Sequence, residues 1–262
     1  MNRVLSLPEV LIEAHGMALT PEDLRALKEV RVQQRLSLPT LCELTFSDPP
    51  GPLKGIARLV PGTFLRVAVA EQPEALFEGQ VTALEHCYGP AGEREICVRG
   101  YDLLHQLRKR QSVRAHVQVT VQQLAQELVA DLGLTVQAAN AGPLWPRLIQ
   151  HRQSDLELLQ EIAERCGFYL ALRGKVLHLL TLQGSGEALS LSLGETLLEA
   201  RIEVNADPAC RSVAATGWDP SRVEIHQSQV ATARVGRAVT TDVSPASVGG
   251  TGKRELIDEG VT

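Results

Sequence analysis

The sequence predicts an α+β protein that is mainly β, with two strand-rich regions flanking a helix–strand module. Three observations carry this. Short alternating runs separated by turn residues fill the first hundred positions. A small helix–strand unit is written twice near the middle. Strand-like runs then return. With 262 residues, 44 % hydrophobic and 22 % charged, the chain has the composition of a folded protein large enough to bury a core.

The strand readings, in order, are Val30 to Leu38, Leu41 to Phe46, Thr63 to Ala70, Leu76 to Tyr88 and Arg94 to Tyr101. The cluster SDPPGP from Ser47 to Pro52 reads as a turn. GPAG from Gly89 to Gly92 makes the last two strands a hairpin. Ahead of them, Pro21 to Glu29 reads as one short helix, with Thr20 as N-cap and proline in the first helical position. Several short strands with turns between them suit a small barrel or sandwich.

The middle changes character. Thr120 with Gln123, and Ser154 with Glu157, are capping boxes. Val121, Leu124, Ala125, Leu128, Val129 and Leu132 make one apolar helix face; Leu158, Leu159, Ile162, Ala163 and Cys166 make the other. Gly133 and Gly167 close the helices, thirteen residues after each cap, and the strands LTVQA and FYLAL follow. The copies stand 34 residues apart, with Gln126–Glu127 matching Gln160–Glu161. Two copies are too few for a solenoid, so they form one compact α+β module. KVLHLLTL, Lys175 to Leu182, makes a hairpin with FYLAL across Arg173–Gly174.

After the loop Gln183 to Glu187, strands are expected at Leu189 to Leu193, Leu197 to Asn205, Arg211 to Asp219 and Arg222 to Val230. Beyond these the glycine-rich end from Ser244 reads as an unfinished loop, and the natural chain is expected to continue.

Composition narrows the function. The net charge is −5 and aromatics are only 3 %, which argues against nucleic acid as partner and against a sugar-stacking lectin. Five cysteines at wide, unpaired spacings read as reduced thiols. Pro8, Glu9 and Glu13 interrupt the amino terminus, so no signal peptide is read, and no apolar run is long enough for a membrane span. Synthesis in the cytoplasm follows.

No motif carries catalysis. GGTGKRE, Gly249 to Glu255, fails as a phosphate loop: Ser247 replaces the first glycine and Arg254 replaces the magnesium-binding hydroxyl. His151, Asp155 and Glu157 cluster in sequence, but the capping box claims Glu157, and acids are expected at a helix start. The single Trp-Asp pair in GWDP marks a strand end rather than a propeller blade. The basic run from Arg99 to Arg114 (Arg99, Arg108, Lys109, Arg110, Arg114) suits either an interface with an acidic partner or a solvated linker. No catalytic, cofactor-binding or metal-binding residue is assigned.

Phe77-x-Gly79-x-Val81-Thr82, Gly100-Tyr101-Asp102 and Gln153-Ser154-Asp155-Leu156-Glu157 occur in that order. With the segments around them, they resemble the hub–spike family of contractile injection machines over roughly Leu24 to Trp218. That family takes in phage late control gene D proteins, VgrG spikes of type VI secretion and hubs of extracellular contractile particles. The resemblance implies two tube-type β-barrel domains, 1–105 and 185–262, with the α+β module 106–184 between them. It implies a homotrimer whose six barrels match a sixfold inner tube, and a structural rather than enzymatic role. Inner tube proteins, baseplate wedge proteins and a spike tip would be partners in a phage-tail-like particle. The family continues into a further barrel and a β-helical needle. Two other readings stay open: a cell-wall hydrolase carried at the tip, using His151, Asp155 and Glu157, and a monomeric adaptor or binding module.

Overall fold

The computed structural model describes residues 9–49, 55–182, 189–201, 211–219, 223–230 and 251–258. The chain divides into two compact units, 1–144 with 149–179, and 145–148 with 180–262.

In the first unit, seven strands form one antiparallel sheet: β1 (Val10–Ala14), β2 (Met17–Ala18), β3 (Leu27–Gln33), β4 (Leu41–Ser47), β5 (Phe64–Val69), β6 (Phe77–Tyr88) and β7 (Arg94–Tyr101). The spatial order is β2-β1-β5-β6-β7-β4-β3. Alternation fixes which face is covered: Cys42, Leu44 and Phe46 of β4 are buried and their neighbours are not. Inward residues of β1, β4, β5, β6 and β7 meet in one cluster, so the sheet curls round its own core as a half-barrel. Its end strands β2 and β3 do not pair with each other.

Two close approaches shape the centre of this sheet. A Cβ on Gly79 of β6 would lie 2.2 Å from the Tyr101 carbonyl oxygen and 2.6 Å from the Phe77 ring. A Cβ on Gly100 of β7 would meet the Gln80 carbonyl oxygen at 3.0 Å and the same ring at 3.3 Å. The buried Phe77 ring therefore occupies space that side chains would take on two paired strands. Beside it the register shifts between Val81 and Ala83, and the hydroxyl of Thr82 donates to the Arg99 carbonyl (3.2 Å). The glycines and Thr82 thus answer to packing.

Helix α1 (Pro21–Arg25) crosses one end. Thr20 and Asp23 cap each other reciprocally, and the buried Asp23 also accepts the Gly55 N–H (3.3 Å). Burial alone would raise the Asp23 pKa. The Thr20 hydroxyl and the backbone N–H groups of Thr20, Gly55 and Ile56 outweigh it, and the pKa falls below 3.8.

The rest of this unit is the duplicated module. A seven-residue 3-10 turn (Leu103–Lys109) leads to β8 (Arg114–Thr120), α2 (Val121–Val129), β9 (Thr135–Ala138), β10 (Leu144–Gln150, of which Trp145–Leu148 belong to the second unit), α3 (Asp155–Arg165), β11 (Tyr169–Arg173) and β12 (Val176–Leu180, whose last residue belongs to the second unit). Both capping boxes form, and Gly133 and Gly167 take φ of 66° and 73°. The two copies place β9 and β11 on opposite sides of β12, with β9 parallel to it. Leu124, Leu128, Leu159 and Leu170 are buried between the layers.

In the second unit, β13 (Ser212–Asp219), β14 (Glu224–Val230) and β15 (Lys253–Asp258) form a sheet ordered β14-β13-β15, with β15 parallel to β13.

Several sequence readings are corrected. The first helix ends at Arg25, because Leu27 to Glu29 pair with β4 and the ladder overrides local helical preference. The strand read to Leu38 stops at Gln33; Ser37 takes φ of 62° and bonds elsewhere. Leu189 to Leu193 form no strand, only an isolated bridge from Leu193 to Leu197, and Leu198 to Arg201 are likewise irregular. Alternation chooses a face, but a strand also needs a neighbour for its backbone bonds. Lys253 to Asp258, read as loop, is strand β15. Strands β1, β2, β8 and β10 stand where the sequence reading has no strand. The Cys42, Cys87 and Cys97 thiols are free, and burial pushes that of Cys42 up to about 12. The turn at 50–52, the loop 183–187, positions 202–205 and Cys210 lie outside the described residues.

Gly79→Ala is expected to destabilise the protein by about 1–3 kcal/mol, and Gly100→Ala by less, in urea unfolding. Asp23→Asn should lower stability at neutral pH. The lowered native pKa means that the Asp23 contribution is present above the unfolded value and is lost as pH falls through the native one. The gap between wild type and variant in urea melts should therefore close below about pH 4.

Candidate assembly surfaces

The aspartate of the Gly100-Tyr101-Asp102 stretch is a buried junction. Its carboxylate accepts the Thr40 N–H (2.7 Å) and the Leu104 N–H (3.0 Å), its own N–H donates to the Thr40 carbonyl (3.1 Å), and its carbonyl contacts His105 Nδ1 (2.6 Å). One residue thereby joins the start of β4, the end of β7 and the turn that leads into the module. Burial pushes its carboxyl above the ordinary 3.8, against the pull of the Thr40 and Leu104 N–H groups and the Arg108 charge.

Of His151, Asp155 and Glu157, the two acids are engaged at the start of α3. Glu157 accepts from the Ser154 N–H (2.7 Å) and hydroxyl (2.8 Å), and these bonds hold its carboxyl below 4.5. Asp155 is buried and accepts from Gln150 Nε2 (2.8 Å), with Arg114 at 3.7 Å. His151 is exposed. The acids serve the start of α3, one as a cap and one as a buried acceptor.

The basic run is neither a solvated linker nor one continuous patch. Leu104, His105 and Leu107 are buried within it. Arg99 pairs with Glu43 (3.0 Å). Arg110 pairs with Asp131 (2.8 Å), donates to the Leu128 carbonyl at the end of α2, and accepts the Asp155 N–H through its own carbonyl. Arg114 reaches Glu127 (3.6 Å) and Asp155. Buried His116 also contacts Glu127 (2.9 Å). Sequence reasoning missed His116, which meets Glu127 of α2, and Gln150, which joins Arg114 of β8 to the nearby Gln153 and Asp155. Arg108 lies over the Tyr101 ring at 5.5 Å and its charge acts on the buried Asp102 carboxyl, while Lys109 forms no salt bridge among the described residues.

The outer face of the seven-stranded sheet is charged in rows. Arg66 stands between Glu13 (3.6 Å) and Glu78 (3.1 Å), and Glu43 between Arg31 and Arg99. Exposed pairs of this kind contribute little stability, so the rows chiefly define a polar surface. Val113 and Val117 near β8 and Ile149 of β10 are instead exposed and apolar. In the second unit, Trp218 faces Ile225 across the strands, and both are exposed, as is Leu256 of β15. Apolar groups left open in this way mark surfaces suited to association.

The fold is similar to that of solved phage tail proteins. A 43 kDa tail protein from the Shewanella oneidensis prophage MuSo2 matches with a TM-score of 0.69 at 17 % identity, over 98 % of this chain and 74 % of that one. A tail protein from Neisseria meningitidis MC58 matches with a TM-score of 0.64 at 14 % identity, over 97 % and 72 %. A Francisella PdpA-VgrG complex in its lidless form matches with a TM-score of 0.55 at 11 % identity, over 99 % of this chain and 50 % of that one. No curated protein matches by sequence. The chain belongs to the family described as the Alg8 N-terminal domain, whose model matches residues 40–254. Among the described residues no helix is long and apolar enough to cross a membrane.

Ser154→Ala removes the hydroxyl of the second capping box and is expected to cost about 1 kcal/mol, read as a lower urea midpoint. An unchanged midpoint would show that the α3 cap carries no stability.

Proposed function

We propose that the chain is a structural hub or spike subunit in the baseplate of a phage-tail-like contractile injection system. The observation that carries this is the fold shared with tail proteins over nearly the whole chain. On this reading, 1–105 and 185–262 are tube-type barrel domains and 106–184 is the module between them. Three copies form a ring whose six barrels cap a sixfold inner tube and adapt it to wedge proteins and a spike tip. The chain acts mechanically, as part of an assembled particle: it seals the tube and is driven outward when the sheath contracts. The apolar groups left open on β13, β14 and β15 suit burial against neighbouring subunits. The acids at the start of α3 are engaged in capping and buried hydrogen bonds, which favours a structural role over a tip-borne hydrolase.

Light scattering after size exclusion tests the ring. The expected mass is three times the 28.4 kDa of one chain. A species that stays at one chain mass across concentration would favour the adaptor reading.

A further inference from the structure

We infer that the groove between the 3-10 turn and the start of α3 is a docking site for an acidic, leucine-bearing segment of a partner protein. The groove has a volume of about 540 Å³; Leu156 lies buried in its lining, and Leu38 is exposed at its side. Arg108, Lys109 and Arg152 bring three exposed cations to it.

The charge balance makes this site different from the rest of the basic run. Arg99, Arg110 and Arg114 each have a carboxylate partner within the chain. Lys109 and Arg152 form no salt bridge among the described residues, and Arg108 acts only on the buried Asp102 carboxylate, which the Thr40 and Leu104 N–H groups already hold. The one acid lining the groove, Glu157, is turned to the Ser154 N–H and hydroxyl. Ser154 in turn fills the capping position of α3, so the helix end is already satisfied and the side-chain cations carry the attraction.

The groove is also held in shape. Arg152 has φ of 62°, and its carbonyl accepts the Gln111 side-chain amide (2.6 Å). Beside Leu38, the Ser37 carbonyl accepts the Gln160 amide and the Ser37 N–H donates to the Leu170 carbonyl (2.7 Å). Arg108 is steadied on the Tyr101 ring. A site whose donors are already placed loses less entropy when a ligand arrives.

Three exposed cations that form no salt bridge among the described residues, beside the exposed Leu38, fit carboxylates together with an apolar side chain. Nucleic acid fits less well. None of the described residues that line the groove is aromatic, so it offers no ring on which a base could stack. This inference stands apart from the hub reading, because it rests on the groove alone.

The test uses the whole chain and a fluorescein-labelled dodecapeptide in which leucines alternate with aspartates and glutamates, followed by anisotropy. Binding is expected at low salt, with loss at about 0.5 M salt. The triple variant Arg108→Gln, Lys109→Gln, Arg152→Gln should bind roughly tenfold more weakly or worse. Arg173→Gln with Lys175→Gln, on the β11–β12 turn, should leave binding unchanged. Arg108→Lys with Arg152→Lys keeps the charge and should retain most of it, which separates charge from folding. No binding, equal loss in both glutamine variants, or tighter binding of single-stranded DNA of the same length would each overturn the proposal.

Discussion

The Asp102 carboxylate is the constraint on which the first unit depends. A buried carboxyl left without donors is costly, and here backbone N–H groups from two segments converge on it. One of these begins β4 and the other begins the turn after β7, which fixes where the sheet ends and where the module starts. Each carboxylate oxygen accepts one of these bonds, and burial still pushes the carboxyl above its ordinary pKa. The residue acts as a rivet whose own charge is under tension, close to the groove lined by Arg108 and Lys109.

The features legible in the sequence were those with local causes. Thr120 with Gln123 and Ser154 with Glu157 predicted two helix starts because a capping box closes within four residues. The glycines predicted the stops because φ is positive there. Features fixed by remote partners were not legible. Leu27 to Glu29 look helical and become strand because β4 lies alongside. Lys253 to Asp258 follow a glycine-rich stretch, and their strand partner is β13, some forty residues earlier. The alternating leucines at 189–193 show the converse, a strand-like pattern that finds no ladder.

The motif residues repeat the lesson for function. Phe77, Gly79 and Gly100 are explained by one ring packed against two backbones, and Asp102 by a junction of chain segments. Their place in the family resemblance is that of fold markers, while the surfaces open to partners carry weak sequence signals. The exposed apolar groups on β8 and β10 sit in strands that the sequence did not reveal, and Arg108, Lys109 and Arg152 gain meaning only once neighbouring cations are seen to be paired.

Ser37 and Leu170 bond to each other in both directions: the Ser37 N–H donates to the Leu170 carbonyl, and the Leu170 N–H donates to the Ser37 hydroxyl (3.2 Å). They lie 133 residues apart in the chain. During synthesis the first sheet emerges long before β11 exists, so the segment after β3 has no fixed partner until the second copy of the module has been made. The sheet can form early from its own strands, but this latch closes late, after a loop of 133 residues has been drawn together. The duplication therefore also sets a timetable, in which completing the second helix–strand unit secures the first part of the chain to be made.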